Sequence, residues 1–223
     1  MTSIKYKHRL NIILGFTAGV IIGLVAFDIL PEIFELVEQN HIDIMLPMLA
    51  FVVGLLLLHI AEKALLIHGS QEGSYKEHKH PSVGILSALA LIAHSFLDGV
   101  GIGLGFQISP GVGVVIAIAV IGHDFADGLN TGSLMLASRN NRRKTLIMIF
   151  LDAIAPVLGA LSTLLFKFSN PWLVLYLGFF AGSLLYISLG DVLPEAHSKD
   201  SSYKTIAMTI IGVIFIYFVT QLV

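Results

Sequence analysis

Seven apolar runs separated by short polar connections leave this chain few choices of fold. They cover roughly residues 10–31, 45–68, 82–106, 110–137, 144–167, 171–194 and 204–222. Each matches the ~20 residues that a helix needs to cross a bilayer core. In lipid every backbone N–H and C=O must be satisfied inside the protein, so spans of this length fold as helices. Hydrophobic residues make up 56% of the 223 and charged ones only 13%, too few to solvate a globular surface. The expectation is an all-α integral membrane protein, a seven-transmembrane-helix bundle in one transmembrane domain over residues 1–223. The run after Lys5, Lys7 and Arg9 is long and no A-x-A-like cleavage site follows it, so it reads as a span rather than a cleavable signal.

The basic residues orient the bundle. Of 13 Lys and Arg, all but Lys167 fall on one side. Lys5, Lys7 and Arg9 precede the first span, and Lys63 ends the second. Lys76 and Lys79 lie in the second loop, Arg139, Arg142, Arg143 and Lys144 in the fourth, Lys199 and Lys204 in the sixth. Positive residues stay inside, so the N-terminus is expected in the cytoplasm and the C-terminus outside. The cytoplasmic (inner) membrane of a prokaryote is the expected location. The first loop, with Glu35, Glu38, His41 and Asp43, is then external. The second loop, about 68–81, carries His68, His78 and His80 and is expected to be a mobile cytoplasmic linker with transient metal ligands at most. Nothing in this distribution resembles a nucleic-acid footprint.

Within the spans, two stretches repeat one pattern. His94-Ser-Phe-Leu-Asp98-Gly99 lies in the third run and His123-Asp124-Phe-Ala-Asp127-Gly128 in the fourth. Residues four apart share a helix face, so each motif places an imidazole and a carboxylate side by side. Ionisable groups inside a membrane are costly and mark ion paths or metal sites. Three carboxylates and two imidazoles here have no basic neighbour, and a divalent cation supplies the missing charge. The chain has no cysteine, so the ligands are nitrogen and oxygen. A tight loop near Pro110 makes the two spans antiparallel neighbours whose polar faces meet. Gly101 and Gly105 form a G-x-x-x-G pair for close helix contact, while Gly99 and Gly128 let their helices bend. Pro156 is expected to kink the fifth span. A second echo, Asp28-Ile-Leu-Pro31-Glu32 and Asp191-Val-Leu-Pro194-Glu195, ends the first and sixth spans. With opposite directions for the paired spans, the two echoes predict inverted-repeat pseudo-symmetry.

These motifs resemble those of the ZIP (Zrt/Irt-like) family of divalent-metal transporters. The likeness rests on both His/Asp motifs, both Leu-Pro-Glu segments, the His-bearing loop and Pro156-x-x-Gly159, and extends over essentially the whole chain. It implies a primary metal site at His94, Asp98, His123, Asp124 and Asp127, and the absence of the family's first span. Three departures accompany it. Asp98 and Asp127 stand where the family often has glutamate. Ser95 replaces a frequent ligating Asn. Ala155 replaces a carboxylate, which Asp152, one turn earlier, could supply.

The function expected is transport of a divalent transition metal, zinc first and Cd²⁺, Fe²⁺, Mn²⁺ or Co²⁺ as other candidates, toward the cytoplasm. The metal is cargo rather than a prosthetic group. The expected partners are that ion and the lipid bilayer, and a small-residue face is compatible with a homodimer. A seven-span zinc-dependent lipid hydrolase is the runner-up, weakened by the lack of an H-x-x-x-H or H-E-x-x-H pair. Haem ligation by His94 and His123 is opposed by the adjacent carboxylates.

Overall fold

The apolar runs form helices over nearly all of their length. The structure is a computed structural model that describes residues 2–71, 81–197 and 203–222, with side chains from Leu10 onward except 61–71 and Ala126. Its helices are α1 (Thr2–Leu24), α2 (Leu30–Asn40), α3 (Met45–Gln71), α4 (Pro81–Ile108), α5 (Pro110–Ala137), α6 (Arg142–Ser162), α7 (Asn170–Tyr186), α8 (Leu193–Ala196) and α9 (Tyr203–Leu222). No strand occurs among the described residues. Among the described residues, six helical stretches are long and apolar enough to cross a membrane: Leu10–Asn40, Pro81–Ile108, Pro110–Ala137, Arg142–Leu165, Asn170–Ala196 and Tyr203–Leu222. The second run contributes the shorter apolar stretch Met45–Ile60 of the 27-residue α3. This is an all-α, multi-pass membrane protein.

The first span differs from its expected end at Pro31. A proline has no N–H to donate and its ring clashes with the carbonyl four residues back. Here the chain widens instead of stopping. Val25–Ile29 is a π-helical turn, and the Leu30 N–H bonds to the Val25 carbonyl five residues back. Pro31 then sits in the first turn of α2, where its missing N–H costs little. Glu35 and Glu38 therefore lie on a helix, not in the first loop, and the turn before α3 begins at His41. The same device recurs at the echo motif. Ile187–Val192 is a π-helical turn, Leu193 N–H bonds to Ser188 O, and Pro194 opens α8. The two Asp-x-Leu-Pro-Glu segments thus share a backbone defect as well as letters.

The helices pack in two groups. In one, α4 lies against both α5 and α6, and α5 also touches α6. In the other, α1 packs on α9 and α3 on α7, with α2 and α8 joining these pairs. Exchanging α1 with α7, and α3 with α9, turns the first of these pairs into the second, as an inverted repeat requires. Between the groups lies an apolar core that includes Val20 and Ile21 of α1, Leu104 of α4, Val120 of α5 and Leu177 and Leu184 of α7.

Close approach of α4 to α6 needs a glycine at position 99. A Cβ there would lie 2.6 Å from both the Cα and the carbonyl carbon of Pro156. Gly103 meets Ala160 of the same helix and Thr163 just beyond its end, whereas Gly101 faces Phe180 and Gly105 faces Gly113 and Ile116. Gly99 and Gly103 thus seat α6, while Gly105, of the expected Gly101/Gly105 pair, lets α4 approach the α5 backbone at Gly113. α6 itself continues as one helix through Pro156.

Candidate metal centre

The hairpin of α4 and α5 turns on one residue. Ser109 separates the helices, and its Oγ accepts the Val112 N–H at 3.1 Å, capping α5, with Pro110 in the first turn. This brings the two H-x-x-x-D-G faces together, as the repeat and the Pro110 turn imply. Ligand atoms of His94, Asp98, His123 and Asp127 lie within 4.8 Å of one another. Asp98 and His123 are fully buried and Asp127 nearly so, while the His94 side chain keeps 12% exposure. His94 is thus the accessible edge of the cluster.

Its centre is one carboxylate oxygen. Asp98 Oδ2 stands 3.1 Å from His94 Nε2 and 3.2 Å from His123 Nε2, and Asp127 Oδ2 is 3.8 Å from the latter. Two ligands on one tetrahedral zinc, with bonds of 2.0–2.1 Å, lie about 3.3 Å apart, a spacing these atoms match, as an ordinary N–H···O contact also does. His94 Nε2 makes no hydrogen bond despite its proximity. Asp98 Oδ1, Asp124 Oδ1 and Asp127 Oδ2 are also buried without a hydrogen-bond partner among the described residues.

The tautomer of His123 follows from its other nitrogen. Nδ1 lies 3.0 Å from the Ala119 carbonyl, which can only accept, so Nδ1 carries the hydrogen. A neutral His123 then turns the lone pair of Nε2 toward a carboxylate. Two electron-rich atoms at 3.2 Å repel unless a proton or metal cation lies between them. A backbone carbonyl fixing the remote ring nitrogen is the usual support of a metal-binding histidine.

The other expected site residues are placed as follows. Asp124 is absent from the four-residue cluster; one residue from His123, its side chain leaves the helix about 100° away. Ser95 and Asp152 do meet, but each other. Ser95 Oγ donates to Asp152 Oδ1 at 2.9 Å, and Thr131 Oγ1 donates to Asp152 Oδ2 at 2.9 Å. All three are buried and join α4, α5 and α6. Thr131 belongs to neither repeated motif, although it lies four residues after Asp127 on the same face. Pro156 adds a further feature, since its missing N–H frees the Asp152 carbonyl from its helical partner. The side chain of His68, and all of His78 and His80, lie outside the described residues.

A family model described as ZIP zinc transporter matches residues 67–220. Among curated proteins, the "Zinc transporter ZupT" of Chlorobium chlorochromatii (strain CaD3) is 30% identical, over 92% of this chain and 83% of its own length. That of Streptococcus mutans serotype c is 30% identical, over 93% of this chain and 84% of its own. That of Corynebacterium glutamicum is 30% identical, over 89% and 82%.

Proposed function

The chain belongs to the ZIP family of metal transporters, and from that membership we propose that it carries zinc across the membrane through the cluster between α4 and α5. It is a divalent-metal transporter and not an enzyme; the relatives are named as transporters, and nothing favours lipid hydrolysis. The ion binds His94, Asp98, His123 and Asp127. Relatives named as zinc transporters support zinc over the other divalent ions. The observation that supports the ligand set is the convergence of the four ligand atoms within 4.8 Å, with His123 held by Nδ1 at 3.0 Å from Ala119 O and its Nε2 3.2 Å from Asp98 Oδ2.

A hydrated ion arriving at His94 exchanges water for the buried oxygens and nitrogens. Two carboxylates neutralise a divalent ion, which removes the charge that a span otherwise resists. Ser95 and Thr131 meanwhile hold Asp152 in place, each engaging one of its carboxyl oxygens with a hydroxyl. Transport runs toward the cytoplasm, where the excess of Lys and Arg places the N-terminus.

Proteoliposomes loaded with a zinc-sensitive dye test this reading. The parent chain takes up zinc, with Cd²⁺, Fe²⁺, Mn²⁺ and Co²⁺ competing more weakly. His94→Ala and Asp127→Ala variants lose uptake. Parental zinc uptake by both variants would refute the site.

A further inference from the structure

The metal-bearing group, α4 to α6, meets the second group across an apolar surface. Apolar contact is non-directional and tolerates sliding, whereas a hydrogen bond fixes register. Among the described residues two side-chain hydrogen bonds cross that surface. Thr17 of α1 donates from Oγ1 to the Gly122 carbonyl of α5 at 3.3 Å. Tyr176 of α7 donates from its hydroxyl to the Leu97 carbonyl of α4.

Their placement is not scattered. The exchange that relates α1 to α7 and α4 to α5 carries the α1–α5 contact onto the α7–α4 contact, and each of these two interfaces holds one bond. Each acceptor is also the residue just before a candidate ligand: Gly122 precedes His123, and Leu97 precedes Asp98. Thr17 is buried. Tyr176 is braced by stacking on Phe180, with centroids 6.0 Å apart, and Phe180 in turn lies against Gly101 of α4. Neither hydroxyl is needed for helix formation or for filling the core, because valine and phenylalanine would fill the same space.

We infer that Thr17 and Tyr176 are positioning residues for transport: a pair of hydroxyl latches that hold the metal-bearing helices in register against α1 and α7 in this conformer and release together when the groups move. This rests on the transport reading above. An interhelical hydrogen bond of this kind is worth about threefold in an equilibrium, or about 0.6 kcal/mol. One latch therefore biases the conformer without freezing it, and the loss of one raises the released population about threefold.

The chain has no cysteine, so thiol reporters are free of background. Thr17→Cys places a buried thiol in the interface, and its modification rate by a small thiol reagent reads the released population. Adding Tyr176→Phe speeds that modification about threefold while leaving the equilibrium zinc affinity unchanged. A general loosening of the fold would instead lower both zinc affinity and thermal stability. In a second arm, Thr17→Cys is combined with Gly122→Cys. The Gly122 Cβ would stand 4.0 Å from Thr17 Cγ2, within disulfide reach after a small shift. Oxidation locks zinc uptake and a reductant restores it. Unchanged labelling after Tyr176→Phe, or full uptake by the oxidised pair, overturns the latch. A parent chain that moves no zinc overturns the transport reading, and the labelling arm still decides whether the latch exists.

Discussion

Two glycines at equivalent places in the repeated motif make a sharp test, because the structure assigns them opposite consequences. Gly99 follows Asp98 and Gly128 follows Asp127. A Cβ on Gly99 would stand 2.6 Å from two backbone atoms of Pro156, where ordinary contact begins near 3.4 Å. The Pro156 carbonyl oxygen stands closer still, and the overlap cannot be relieved by a side-chain rotation, because backbone faces backbone. α4 and α6 must part. Overpacking of this kind costs about 1–3 kcal/mol, and the upper end applies to a rigid neighbour. Replacing a helical glycine by alanine returns about 1 kcal/mol, so Gly99→Ala loses about 2 kcal/mol net. The separation also moves Asp98 relative to its partners on α5 by several tenths of an ångström, beyond the ±0.2 Å that metal bonds tolerate. A Cβ on Gly128 meets nothing within 4 Å. Gly128→Ala is therefore neutral or stabilising by up to about 1 kcal/mol, with zinc affinity intact. Thermal unfolding of the purified variants, followed by size-exclusion fluorescence, together with zinc-binding titration, reads both effects. Equal behaviour of the two variants, or a loss confined to Gly128→Ala, would refute the packing on which the site depends.

Other consequences follow from the same geometry. Asp98→Asn keeps the shape but removes the anion shared by two imidazoles. Since outer-shell partners alone are worth 10–100-fold in affinity, zinc binding should weaken by at least about 100-fold in a calorimetric titration. Thr131→Val strips one of two donors from buried Asp152 and should cost about 1.5–3 kcal/mol of stability, with a smaller effect on binding than Asp98→Asn; an equal or larger loss of binding would make Thr131 part of the site itself. Zinc binding needs unprotonated carboxylates and neutral imidazoles, so protons compete with the ion. Uptake into proteoliposomes should therefore fall as the external medium is acidified, and uptake that rises in acid would count against this ligand set.

Much of this was readable from residue spacing. The i, i+4 pairing of His94 with Asp98 and of His123 with Asp127 put each pair on one face, and Pro110 after Ser109 marked the turn that makes those faces meet. What spacing leaves open is the phase of a helix against its neighbours. Asp124 and Asp127 both lie near His123 on a helical wheel, yet only Asp127 points at Asp98. Gly99 and Gly103, rather than Gly101 and Gly105, meet α6 for the same reason: both pairs have the same period, and only the position of α6 chooses between them. Pro31 marked a helix end by the ordinary rule, but a turn widened to five residues absorbs a proline without ending the helix. Thr131 carried no signal until Asp152 was placed beside it, because a threonine in an apolar run commonly bonds its own helix.

The most direct test of the metal centre is zinc-edge X-ray absorption on the purified, zinc-loaded protein. The expected first shell contains only nitrogen and oxygen at about 2.0–2.1 Å, with the outer scattering of two imidazoles, falling to one in His94→Ala or in His123→Ala. A parent spectrum without imidazole scattering, or one that neither substitution changes, would place the zinc elsewhere and contradict a site built by the two repeated motifs.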